Sequence, residues 1–179
     1  MRDLHQEAFL TYINLLLEWN QIHNLSGNLT PRLAEEYLLD SIYPLEFIQS
    51  FSRCIDVGSG AGFPAVPLAI CCPRSEFLLI EPRNKRAAFL QYVSSELGLS
   101  NIQVKKMRIE EVGGRCVDLI TSRAVMDAPS LIASCSHLLQ VGGHYLFYKG
   151  ENLSQELGRS VEGYPRRGQR IYFYERKES

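Results

Sequence analysis

One short stretch concentrates the residue types that can hold a ligand: Asp56-Val57-Gly58-Ser59-Gly60-Ala61-Gly62-Phe63-Pro64. An apolar run enters it and an amphipathic run leaves it, so three glycines fall in a turn between a buried strand and a helix. Glycine lets the backbone approach a ligand without a Cβ, and free N–H groups at the start of the following helix favour a carboxylate or phosphate. A dinucleotide fingerprint would require Gly-x-Gly-x-x-Gly, but here Phe63 stands at the third glycine position and the glycines recur every second residue. That spacing is similar to the turn that holds S-adenosylmethionine.

An acid at the end of the second strand, Glu81, follows Gly58 by 23 residues. This is close to the ~20 expected of a carboxylate that accepts both ribose hydroxyls of a nucleoside. Arg108-Ile109-Glu110-Glu111 follows the third strand, where a backbone N–H and an acid can read an adenine edge. Arg123, in Ser122-Arg123-Ala124, falls at the carboxyl end of the fourth strand, beside the crevice where open α/β sheets bind ligands. Asp56, Gly58, Ser59, Gly60, Gly62, Glu81 and Arg123 are therefore the expected cofactor residues. Basic clusters at Arg83, Lys85 and Arg86, at Lys105, Lys106 and Arg108, and at Arg166, Arg167 and Arg170 are candidate phosphate contacts.

The elements that must position these groups follow from periodicity. Residues 6–20 carry apolar side chains at helical spacing. Thr30-Pro31 reads as an N-cap and first-turn proline for a helix over 31–42, and a third short helix is expected over 44–51. From Arg53 the pattern changes to short apolar runs alternating with longer amphipathic segments, the pattern of a parallel sheet covered by helices. Strands are expected over 54–57, 77–80, 103–106, 117–121, 145–148 and 170–174. Helices are expected over 64–71, over 84–97 ending at Gly98, and over 130–139 ending near Gly142-Gly143. The expected fold is a doubly wound, mostly parallel α/β sheet of Rossmann-like type over residues 53–179, with an N-terminal helical extension over residues 1–52 packed on it.

Composition bounds the rest. The chain has 179 residues, 45% of them hydrophobic and 22% charged, which excludes a disordered tail or a disulfide miniprotein. A net charge of −1 argues against sequence-blind nucleic-acid binding, but the distribution is uneven. Residues 1–57 hold three arginines against eight acids, net −5, and residues 58–179 hold sixteen Lys or Arg against twelve acids, net +4. Cys54, Cys71, Cys72, Cys116 and Cys135 lack metal-ligand spacing and read as small buried apolar residues, so no metal is expected. With no signal peptide and no span in view, the expected setting is the reducing cytoplasm, as a monomer and without membrane contact.

These pieces occur together with Asn84-Lys85-Arg86, Phe89-Leu90, Lys149-Gly150 and, upstream, Asn24-Leu25-Ser26 and Leu39-Asp40-Ser41. In that combination, from Trp19 to Gly150, the chain resembles the RsmG/GidB family of ribosomal RNA methyltransferases. The resemblance implies a class I S-adenosylmethionine-dependent fold and methyl transfer to N7 of a guanine in bacterial small-subunit (16S) ribosomal RNA, free or in the 30S subunit. It places Gly58, Phe63, Ile109, Glu110 and Arg123 in the cofactor pocket and adds Lys149 to the RNA candidates, which also include Arg123, placed to position either the cofactor or guanine O6. Glu36-Tyr37 stands where members often have Arg-His, Glu81-Pro82 where an Asp is commoner, and Ala65 where a Gly is frequent.

No general acid or base is expected. The chain lacks the Asp/Asn-Pro-Pro-aromatic turn of exocyclic amine methylation, and Cys116 lies at the wrong end of its strand to be a nucleophile. Guanine N7 carries a lone pair and no proton at neutral pH, so alignment is the task left to the enzyme. Two alternatives stay open on sequence: a small-molecule or protein acceptor, and a non-catalytic cofactor- or RNA-binding module on the same fold.

Overall fold

The computed structural model describes residues 2–114 and 116–178. Helices α1 (Arg2–His23) and α2 (Pro31–Ile42) come first, and Thr30 caps α2 by accepting the Leu33 N–H. The helix expected over 44–51 is shorter, a single 3-10 turn at Tyr43–Glu46. Then follow β1 (Arg53–Val57), α3 (Ala65–Cys71), β2 (Glu76–Ile80), α4 (Asn84–Glu96), β3 (Ile102–Lys105), β4 (Val117–Arg123), α5 (Ala128–Cys135), β5 (Leu139–Lys149), α6 (Leu153–Leu157), β6 (Arg166–Arg167) and β7 (Arg170–Arg176).

The seven strands order as β3-β2-β1-β4-β5-β7-β6. The first five run parallel, and β7 turns antiparallel to β5. The strand order reverses between β1 and β4, opening a crevice at their carboxyl ends. The central strands are buried on both sides, which is why they read as continuous apolar runs.

Two hydrophobic layers sandwich the sheet. Tyr12, Leu16, Leu25, Ala34 and Leu38 of the first 52 residues share one layer with Val66, Phe89, Leu90, Leu119 and Tyr172. Ile55, Ile80, Ile109, Leu131, Leu153 and Phe173 form the other. Tyr12 Oη donates to the Ala61 carbonyl at 2.8 Å, so α1 is tied to the glycine turn itself. Tyr148 and Tyr172 donate to the carbonyls of Ser41 and Asp40 at 2.7 and 3.0 Å, binding the end of α2 to the far half of the sheet.

Several expectations need correction. Gly142-Gly143 does not end a helix: α5 stops at Cys135, and both glycines sit inside β5, beside a register shift against β4. A Cβ on Gly143 would come within 2.7 Å of Leu139 Cδ1, 2.9 Å of the Asp118 carbonyl and 3.0 Å of the Gln140 carbonyl. Gly143→Ala should therefore cost about 2 kcal/mol in overpacking, measured as a lower denaturant midpoint at unchanged slope. Of the cysteines, Cys54 and Cys135 are buried as expected, whereas Cys71 and Cys72 are half-buried and Cys116 is exposed, because they lie at element ends. Strand β6 and helix α6, each five residues or fewer, carried no periodicity to detect.

Candidate active site

The crevice holds a cleft of about 770 Å³, within the usual range for small-molecule sites. Gly58, Ser59, Gly60, Phe63, Glu81, Ile109, Glu110 and Arg123 line it, as do Arg83, Arg86 and Arg108 of the basic candidates. Its remaining walls include Leu25, Ser26, Tyr37, Val125 and Met126.

The floor is the turn after β1. Gly58 and Gly60 adopt positive φ of 66° and 56°, a conformation that disfavours side chains with a Cβ. A Cβ on Gly58 would lie 2.6 Å from Val125 Cγ2, so the turn and the segment after β4 pack closely here. Glu81 is 2% exposed. One carboxylate oxygen accepts the Gly60 N–H at 2.9 Å and the other the Arg83 N–H at 2.8 Å. The second strand thus fixes an anion against the glycine turn, rather than leaving a solvated strand-end acid.

Asp56 and Gly62 stand behind the cleft rather than in its lining. Asp56 is buried; its Oδ1 accepts from Thr121 Oγ1 at 2.6 Å, and its Oδ2 has no hydrogen-bond partner. Burial raises its pKa to about 7, with the nearby Glu81 charge adding to the shift against the hydroxyl hydrogen bonds. Gly62, at φ 102°, would place a Cβ 2.8 Å from Val66 Cγ2 and 2.9 Å from Tyr12 Oη, so its lack of a side chain serves packing against α1.

Arg123 lies at the other end of the cleft, held by an aromatic face instead of an acid. Its guanidinium carbon is 3.7 Å from the Tyr37 ring centroid and 5.8 Å from that of Phe63, a cation–π arrangement. Its Nη1 is buried without a hydrogen-bond partner. Burial, helped by repulsion from Arg170, lowers its pKa to about 10, which leaves it charged at neutral pH. The nearest acid network is already engaged. Asp40 accepts Arg167 Nη1 at 2.6 Å and Arg170 Nε at 3.3 Å.

The basic candidates divide. Lys85 and Arg166 are exposed, and Arg167 is half-buried against Asp40. Lys149 is not presented to a polyanion. It is 7% exposed, and its Nζ pairs with Glu156 at 2.8 Å and donates to the Met126 carbonyl at 2.6 Å. Glu156 also accepts the Ala128 N–H, so this pair pins the segment after β4 that forms the cleft's rim. Tyr12, Tyr37 and Asp40 escaped the reading of site chemistry because a lone residue on a helix carries no chemical spacing. Asp40→Ala would remove the carboxylate shared by two guanidinium groups, leaving Arg170 only its bond to the Lys149 carbonyl, and should lower stability by about 2 kcal/mol after allowance for partial exposure, read by chemical denaturation.

The strand order, the glycine turn and the acid at the end of β2 define a class I S-adenosylmethionine-dependent methyltransferase fold. Solved structures agree at the level of fold. A ribosomal protein methylase from Lactobacillus delbrueckii subsp. bulgaricus superposes with a TM-score of 0.61 at 18% identity, covering 80% of this chain and 79% of that one. Coclaurine N-methyltransferase, solved with N-methylheliamine and SAH, gives 0.58 at 17%, covering 80% of this chain and 51% of that one.

The chain belongs to the GidB family, rRNA small subunit methyltransferase G, which matches residues 5–175. Proteins named Ribosomal RNA small subunit methyltransferase G are similar to it throughout. That of Helicobacter pylori (strain J99) is 47% identical over 169 residues, 94% of this chain and 95% of the relative. That of Wolinella succinogenes is 48% identical over 162 residues, 90% and 83% respectively. Among the described residues, no helix is long and apolar enough to cross a membrane, and no group of three or more His, Cys, Asp or Glu is placed to hold a metal.

Proposed function

We propose that this protein transfers the methyl group of S-adenosylmethionine to N7 of a guanine in small-subunit (16S) ribosomal RNA, as a monomer in the cytoplasm. Residues 53–179 would form the catalytic unit and residues 1–52 an extension packed on it. The observation that carries the reading is the Glu81 carboxylate, fixed by backbone N–H groups against a glycine turn in a chain of this family.

The residues present fit an adenosyl ligand. Glu81 has lone pairs to accept two ribose hydroxyls, the Gly58–Gly60 backbone leaves room for close approach, and Ile109 offers an apolar wall with Glu110 at its edge for the adenine amine. S-adenosylmethionine, when bound, supplies an electrophilic methyl group. Phe63, Tyr37 and Leu25 present apolar surface that excludes water at the Arg123 end. No side chain has to take a proton, since guanine N7 attacks with a free lone pair. Holding the reactants in attack geometry supplies roughly 7–11 kcal/mol in favourable cases, and this is the contribution expected of the cleft. The acceptor base must be unstacked or in a loop, because the deep groove of A-form RNA does not admit side chains.

Labelled methyl transfer to unmodified small subunits, with naked RNA in parallel and nucleoside analysis of the product, tests the proposal. Label in 7-methylguanosine is expected. Cofactor binding without transfer to either RNA would reject it in favour of another acceptor or a non-catalytic binding protein.

A further inference from the structure

Arg123 lines one end of the cofactor cleft, and among the described residues no carboxylate pairs with it. Its Nη1 is buried without a partner, and the neighbouring Asp40 already gives both oxygens to Arg167 and Arg170. In place of an acid the guanidinium has the face of Tyr37, which lines the same cleft and whose ring centroid is 3.7 Å from the guanidinium carbon. We infer that Tyr37 is a positioning residue, which holds Arg123 in place and un-neutralised so that it binds the α-carboxylate of S-adenosylmethionine. The inference rests on the methyl-transfer reading above and names the residue that secures the amino-acid end of the cofactor.

Three rings in series connect the helical extension to Arg123. Tyr12 on α1 donates to the Ala61 carbonyl and meets Phe63 edge-on, with 5.3 Å between centroids at 64°. Phe63, in the glycine turn, meets Tyr37 on α2 in the same manner, at 5.7 Å and 77°. Such edge-to-face pairs favour a narrow set of ring orientations. Tyr37 is thereby fixed from the side of the turn, and the fixed ring in turn fixes the guanidinium. An aromatic face suits this task better than an acid. It attracts the cation through its quadrupole and takes none of the five N–H donors, two of which a carboxylate would occupy.

The strand order decides which part of the ligand Arg123 meets. Glu81 follows β2 and Arg123 ends β4, on opposite sides of β1. Two strand spacings of ~4.8 Å set these positions about 10 Å apart across the sheet. With the ribose on Glu81 and the adenine toward Ile109, beyond β2, the methionine part extends over β1 toward Arg123. Its sulfonium and ammonium are cations, so the carboxylate is the group there that a guanidinium attracts. The histidine that family members often carry at position 37 offers, when neutral, the same kind of flat face.

Calorimetric titration with S-adenosylhomocysteine and with 5′-methylthioadenosine separates this role from a merely structural one. The second ligand keeps the adenosine and the sulfur but lacks the amino-acid carboxylate. Tyr37→Leu is expected to weaken S-adenosylhomocysteine binding about tenfold and to leave 5′-methylthioadenosine within about twofold. Arg123→Met should lose at least as much of the same preference, and adding Tyr37→Leu to it should change neither affinity by more than about twofold. Tyr37→Phe should keep the preference, as should Tyr37→His at pH 8, where an imidazole of ordinary pKa ~6.5 is neutral. Equal losses of both ligands in Tyr37→Leu, or a full further loss in the Arg123→Met background, would overturn the assignment. So would unchanged affinity for both ligands with weaker capture of RNA, which would give the pair to the acceptor base instead. Failure of methyl transfer to small-subunit RNA, with the ligand preference intact, would strike the acceptor proposed above and leave the role of Tyr37 standing.

Discussion

Replacing Gly58 by valine is expected to weaken S-adenosylhomocysteine binding by at least ~100-fold and to cost about 2–5 kcal/mol of stability. Two separate effects add. The backbone at Gly58 sits at φ 66°, where a β-branched residue is strained, and the first side-chain atom would already lie 2.6 Å from Val125 Cγ2. Relief requires the turn or the rim segment to move. The rim is held by the Lys149 contacts to Glu156 and Met126, so the turn is the part that yields. Its displacement pulls the Gly60 N–H away from Glu81 and takes the carboxylate out of register with a bound ribose. Calorimetric titration and chemical denaturation of the same variant measure the two losses. Adding Val125→Ala should return part of the stability by opening space, but little of the affinity, because the backbone strain remains. Undiminished affinity in Gly58→Val would remove this turn from the site.

Asp56 governs a second large effect, on pH dependence. Its folded-state pKa of about 7 lies roughly three units above the ordinary aspartate value of about 3.9. A carboxyl shifted upward on folding opposes the folded state once it ionises. Its contribution is therefore most favourable below about pH 4, declines as pH rises toward 7, and is level above that, a change of about 4 kcal/mol. Asp56→Asn keeps an acceptor for Thr121 Oγ1 and cannot ionise. Its new amide replaces an oxygen that has no partner, at a cost of about 1–3 kcal/mol independent of pH. The stability difference between variant and parent should thus favour the parent near pH 4 and the variant near pH 8. Parallel stability curves for the two proteins across that range would show that Asp56 titrates as an ordinary carboxylate.

The two predictions concern residues two apart, Asp56 near the end of β1 and Gly58 in the turn that follows, yet the sequence treated them differently. Gly58 was legible as a position that must lack a side chain, because glycine spacing between a buried strand and a helix has few other causes, and it has positive φ and lines the cleft. Asp56 reads from sequence as part of the same binding motif, but the strand turns it onto the layer that holds Cys54 and Leu119, away from the cleft. Period-two alternation decides that orientation, and a strand buried on both faces hides its alternation behind uniformly apolar neighbours. Lys149 was misjudged for a related reason. In sequence it is a cation at a strand end, and only Glu156, on a short helix without a periodic signal, converts it into a buried structural tie.

By itself, then, the sequence determined the alternation of strands and helices, the glycine turn that lines the cleft, the acid 23 residues beyond it and the family. These are local properties: hydrophobic period, glycine conformation and fixed spacing along one βαβ unit are written within a few tens of residues. Only the tertiary structure decided what surrounds the Arg123 end of the cleft. There, α2 brings Tyr37 beneath Arg123, 86 residues later in the chain, and places Asp40 between two arginines 127 and 130 residues away. Such contacts depend on how the helical extension packs across the sheet, and that packing follows from shape complementarity between buried apolar surfaces. No spacing rule records it.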